Sequence, residues 1–166
     1  MNIILDVDDV VLNFYGGYAK RYNCSMPKRW SNSQRMINRL AELKKDKSFW
    51  IHLEAKHIPD FIPSHFVSAR SLPVSWTIEA LKRHNIPGRS KVTHVGWGQS
   101  KIGTLRRLGC DIFIDDKWQT VKECNENGIF CLLMDACHNR HIKTKYRIHN
   151  LELDNILYLW RKLKQW

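Results

Sequence analysis

The sequence predicts an α/β protein: a doubly wound parallel sheet with a small helical insertion after the first strand. Three observations carry the prediction. Five short apolar runs, rich in β-branched residues, recur along the chain, each too short for a helix. Helical patterns fall between them, which is the signature of βαβ units. The chain has 166 residues, 43% hydrophobic and 26% charged. That describes one ordinary globular domain, or a core with a small insert, and not a disordered chain.

The first run, residues 1–5, stops abruptly at Asp6. The others are His65-Phe66-Val67 before Ser68, 92–95 before Gly96, Ile112-Phe113-Ile114 before Asp115, and 129–134 before Asp135. A helix is predicted over 73–84, opened by Pro73 and broken by Asn85-Ile86-Pro87-Gly88. A second runs over 100–108, opened by Ser100 and stopped by Gly109, and a third over 119–127 stops at Gly128. Leu153, Ile156, Leu157, Trp160 and Leu163 have helical spacing, so 153–164 reads as an amphipathic helix packed on the sheet. Residues 14–63 contain no convincing strand. They hold two helical patterns, 14–22 and 31–45, a loop at 23–27, and a stretch rich in Trp and His. The expected division is a core of 1–13 and 64–166 with a helical cap at 14–63.

The N-terminal apolar run is too short for a signal peptide, and no run approaches the roughly 20 residues of a membrane helix. The expectation is a soluble, cytoplasmic protein with no membrane partner. Five cysteines, an odd number with no CxxC, are expected as reduced thiols. There are 27 Lys and Arg against 16 Asp and Glu, a formal charge of +11, which favours anionic partners.

The predicted strand ends are acidic. Asp6, Asp8 and Asp9 follow the first strand, and Asp115 and Asp116 follow the fourth. Ligands of open α/β sheets bind at the carboxyl ends of strands, near the switch point. Carboxylates converging there repel one another unless a cation neutralises them, and Mg2+, a hard oxygen-liganded ion, meets that demand. A single Asp after a strand is ordinarily a helix cap or turn residue. Two clusters after two apolar strands are not. Ser68 ends the second strand with a hydroxyl, and Lys101 opens a helix whose dipole also favours an anion. The set suits binding and cleaving a phosphate ester with a metal.

These residues resemble a known superfamily. Asp6-Val7-Asp8-Asp9-Val10 is similar to the first motif of the haloacid dehalogenase (HAD) superfamily, with Asp9 where glycine is commoner. Ser68, Lys101 and Ile114-Asp115-Asp116 resemble its second, third and fourth motifs, in order. A narrower resemblance is to the 5'(3')-deoxyribonucleotidases, through Ile114-Asp115-Asp116-Lys117, Cys137-His138-Asn139-Arg140-His141 and the aromatic segment Phe49-Trp50 before Leu53. The resemblance implies a Mg2+-dependent phosphomonoesterase acting on nucleoside monophosphates. Taken with the strand-end geometry, it implies Asp6 as nucleophile and Asp8 as general acid, then base. It also implies Mg2+ held by Asp6, the Asp8 carbonyl and Asp115, with Asp116 behind them. Ser68, Ala69, Arg70 and Lys101 would hold the phosphate.

Other candidates stay open at this stage. Arg70 reads equally as a phosphate donor or a surface ion pair. Trp30, Phe49 and Trp50 either stack on a nucleobase or close the cap core, with Phe49 and Trp50 better placed for the base. Cys131, Cys137, His138 and His141 form a weak zinc alternative to a plain loop. Lys143, Lys145 and Arg147, like Arg161, Lys162 and Lys164, read as solvated basic faces. Two further functions compete with the nucleotidase. One is a phosphatase of nucleic-acid ends, drawn from the charge and Ser68-Ala69-Arg70. The other is a non-catalytic nucleic-acid-binding module on the same scaffold. Oligomeric state is not legible.

Overall fold

The computed structural model describes residues 1–30 and 33–164. Among these, six strands form one sheet: β1 (Ile3–Leu5), β2 (His65–Ser68), β3 (Val92–His94), β4 (Ile112–Asp115), β5 (Phe130–Met134) and β6 (Arg147–Ile148). Their order is β3-β2-β1-β4-β5-β6, and every neighbouring pair is parallel. The helices are α1 (Phe14–Arg21), α2 (Gln34–Leu43), α3 (Lys47–Ile51), α4 (Val74–Arg83), α5 (Ile102–Arg107), α6 (Trp118–Glu126) and α7 (Leu153–Lys164). The expected doubly wound α/β class is the observed one.

Side-chain alternation along the strands explains the two layers of helices. Ile3 and Leu5, Ile112 and Ile114, and Phe130, Leu132 and Met134 point to one face, where they meet α4 through Leu81 and α7 through Ile156. Ile4, Phe113, Cys131 and Leu133 point to the other, against Leu105 of α5 and Val121 of α6. Both faces are covered, so the central strands are apolar throughout. Each wholly buried Ile or Leu among them contributes about 1.5–3 kcal/mol.

The helical segment 14–63 lies on the first face. Phe14, Tyr18, Leu40 and Trp50 join the same apolar cluster as Leu5 and Leu81. Its helices start on side-chain caps. Asn13 accepts from the Gly16 amide, Ser33 from Met36 and Asp46 from Phe49. The expected helix start at Ser31 lies outside the described residues; α2 begins at Gln34. The Trp-rich stretch contains the short helix α3, which packs on α4.

One strand was not anticipated. β6 is two residues long and pairs with Leu133 and Met134 of β5. It corrects the reading of Arg147 as a solvated basic residue. The Arg147 guanidinium donates to Asp135 (2.8 Å), to Asn139 Oδ1 (2.7 Å) and to the carbonyls of Asn139 and Ile142. It folds the 135–147 loop back beside the site. Among the described residues no helix is long and apolar enough to cross a membrane.

Candidate functional site

The chain runs from β1 to β2 and β3 on one side, then crosses to β4 on the other. The switch point therefore lies between β1 and β4. There the Asp6 amide donates to the Ile114 carbonyl (2.9 Å), which sets the two strand ends level. One carboxylate oxygen from each of Asp6, Asp115 and Asp116 comes within 4.8 Å of the others, and all three residues are buried. Lys101, buried at the start of α5, sits 2.9 Å from Asp6 and 2.7 Å from Asp115.

Charge in this crevice is unbalanced. Burial holds the Asp6 carboxyl well above its ordinary value; Lys101 opposes the rise, and Asp115 and Asp116 add to it. Burial, then Asp115, does the same to Asp116. Burial also disfavours the Lys101 ammonium, but its contacts with Asp115 and Asp6 outweigh that and keep it charged. Asp6 Oδ1 lies close to Lys101 yet out of line for a hydrogen bond, so this buried oxygen has no hydrogen-bond partner. Three buried carboxylates with one ammonium and an open oxygen fit a metal cation.

A second layer fixes these carboxylates. Asp115 Oδ2 accepts from Lys101 and Oδ1 from the Lys117 amide, both at 2.7 Å. Burial keeps the His138 ring below its usual pKa, and its Nε2 faces Asp116 Oδ2 at 2.9 Å and the Asp116 carbonyl at 3.2 Å. Two acceptors at that nitrogen assign it the proton. Asn139 Nδ2 donates to the same carbonyl and to Met134 (both 2.8 Å). Asp116 was expected behind the ligands; its carboxylate lies among the three that converge. His138 serves Asp116, and among the described residues the three aspartates are the one set of three such ligands that converges.

Asp9 has φ 55°, a left-handed conformation that favours glycine but admits Asp. The Asp9 side chain secures the turn by accepting from the Tyr15 amide (3.2 Å) and from Lys56 (3.2 Å). Burial raises its pKa to about 7.

Asp8 stands apart from the cluster. Arg70 grips it with a two-pronged fork, Nη2 to Oδ1 at 2.6 Å and Nε to Oδ2 at 2.9 Å. The third Arg70 nitrogen donates to Thr77 (2.8 Å), which faces His94 Nε2 at 3.0 Å. Arg70 is therefore not a surface ion pair, being only 4% exposed. It is a buried clamp on Asp8, and sequence reasoning missed Thr77 because nothing local links it to Asp8.

Asp6, Asp8, Ser68, Ala69, Arg70 and Lys101 line one cavity of about 310 Å3, a size suited to a small ligand. Asp115 and Asp116 share its floor, and α1, α2 and α3 roof it. The two aromatic candidates part company here. Trp50 lines the cavity but is only 4% exposed. Its Nε1 donates to Leu43 (2.7 Å), and its ring stacks on Phe14 at 5.6 Å. Phe49 lines a different hollow, beside Gly17 and Leu53. Trp30 meets Tyr15 and His138 edge-on, with the Lys117 ammonium 5.0 Å from its ring centre.

No protein-family model matches this chain, and no curated protein does.

Proposed function

We propose that this protein is a HAD-type, Mg2+-dependent phosphomonoesterase that hydrolyses nucleoside monophosphates in the cytoplasm. The observation that carries the reading is the convergence of Asp6, Asp115 and Asp116, bridged by Lys101, at the switch point of the sheet. Asp6 is the nucleophile. Its carboxylate attacks phosphorus, the ester oxygen departs with a proton from Asp8, and an aspartyl-phosphate remains. Asp8 then takes a proton from water as that water attacks the phosphorus, releasing phosphate and restoring Asp6. Lys101 and the Ser68 hydroxyl hold the phosphoryl oxygens as charge moves onto them. Mg2+, held by the carboxylates of Asp6, Asp115 and Asp116 and the Asp8 carbonyl, would cancel the repulsion between nucleophile and phosphate. Arg70 holds Asp8 in place until substrate arrives; a phosphate dianion competes for the guanidinium and frees Asp8 to carry its proton.

The preference for a mononucleotide rests on the roofed cavity, which admits a small ester more readily than a polymer. A second reading, a phosphatase of nucleic-acid ends, is favoured by the +11 charge. One panel separates them: phosphate release from mononucleotides and end-phosphorylated oligonucleotides, with Mg2+ and with chelator, over a salt series. The expected outcome is mononucleotide turnover that chelator abolishes and salt changes little. Preference for the oligonucleotide with a steep salt slope supports the polymer reading, because phosphate-backbone binding releases counterions.

A further inference from the structure

We propose that Trp97, on the loop joining β3 to α5, is the platform on which the substrate's nucleobase stacks; this deepens the nucleotidase reading and rests on it. The cap aromatics are already engaged. Trp50 is stacked and hydrogen-bonded inside, Trp30 is wedged between Tyr15, His138 and Lys117, and Phe49 faces elsewhere. Trp97 is 42% exposed and, among the described residues, makes no ring contact. Seven large apolar residues are exposed in the described chain, and Trp97 alone of them lines the acidic cavity. An indole left in water at the mouth of a polar site is apolar surface that a ligand covers on binding.

Its position fits a base attached to a phosphate on the floor. The Trp97 amide donates to Ser71 Oγ at 2.9 Å, tying the loop to the residue that follows Arg70. Ser68 lies three residues before that anchor, and Lys101 lies four residues after Trp97. Trp97 is thus strung between the two elements that carry Ser68 and Lys101, and it lines the same cavity as both. Gly96 and Gly98, with φ 85° and 74°, turn the chain sharply on either side of it. A Cβ added at Gly98 meets nothing within 4 Å, so the second glycine is there for its backbone and not for close packing.

The test measures kcat/KM for a nucleoside monophosphate and for deoxyribose 5-phosphate, which has no base, in the wild type, Trp97→Ala and Trp97→Phe. Base–aromatic stacking of ordinary strength predicts that the nucleotide-to-sugar-phosphate ratio falls about tenfold or more in Trp97→Ala. Trp97→Phe should recover most of it, since a phenyl ring also stacks. An unchanged ratio, or an equal fall on both substrates, overturns the proposal while leaving the phosphatase reading intact. If the wild type hydrolyses neither ester, the phosphatase reading fails. Calorimetric binding of the same two ligands then decides the stacking alone. Nucleotide affinity about tenfold weaker in Trp97→Ala, with sugar-phosphate affinity moving less, upholds it; matched affinities, or no nucleotide binding, overturn it.

Discussion

Replacing Lys101 by methionine keeps the length of the side chain and removes its charge. The ammonium lies 2.9 Å from Asp6 and 2.7 Å from Asp115, with all three side chains buried. At an effective dielectric constant of about 20, each contact is worth about 6 kcal/mol of attraction. Desolvation cancels much of that, and loss of one partner from a buried ion pair costs about 3–5 kcal/mol. For a chain of this length that lowers the Tm by about 6–20 °C. Proton uptake limits the loss. Without the ammonium the Asp6 carboxyl is raised further, and a carboxyl raised in the folded state stabilises at low pH and loses that contribution as pH climbs through its folded pKa. Lys101→Met should therefore melt far below the wild type at about pH 7.5 with chelator and recover part of the gap at about pH 5.5. Mg2+ should stabilise it more than it does the wild type. Circular dichroism melts under these conditions make the comparison. A variant that melts with the wild type at the higher pH in chelator refutes the claim that this lysine balances the cluster.

Three further outcomes follow from the same geometry. Arg70→Lys exchanges a two-pronged fork for a point charge, so kcat should drop about a hundredfold from misplaced Asp8, and KM should rise as the incoming phosphate loses the fork; steady-state kinetics alongside an unaltered far-ultraviolet spectrum would show it. Trp50→Ala should destabilise by about 3–5 kcal/mol in denaturant titration, as truncation of a buried aromatic does, whereas Phe49→Ala should leave the nucleotide KM unchanged. Because burial raises the pKa of Asp6 and Asp116 and so favours protons that a metal must displace, the Tm gain from Mg2+ should be small at about pH 5.5 and grow as pH rises; a gain that shrinks with rising pH contradicts the proposed ligand set.

Five of the six strands were legible because each is a short apolar run ended by Asp, Ser or Gly, and the strand ends in turn announced Asp6, Asp115, Ser68 and Lys101. β6 was hidden: two residues inside a basic loop have no period, and Arg147 is recruited by Asp135 and Asn139, partners that only the fold brings near. Contacts across the chain also decided the aromatics. Phe49 and Trp50 are adjacent on a five-residue helix, where successive side chains point about 100° apart, so one faces the cavity and the other does not. The Arg70 fork joins residues 62 apart in sequence. Trp97 was overlooked because a glycine-flanked tryptophan between a strand and a helix has no periodic pattern to draw notice.

The proposed chemistry turns on the bond between Asp6 and phosphorus. Protein caught during turnover of a nucleoside monophosphate with Mg2+, quenched in acid and digested, can be searched by mass spectrometry for a phosphorylated acyl group. The predicted result is one phosphoryl group on the peptide carrying Asp6, absent when chelator replaces Mg2+ and absent in Asp6→Asn, which should also release no phosphate. Rapid phosphate release with an unmodified Asp6, or substantial turnover by Asp6→Asn, would contradict the account at its centre.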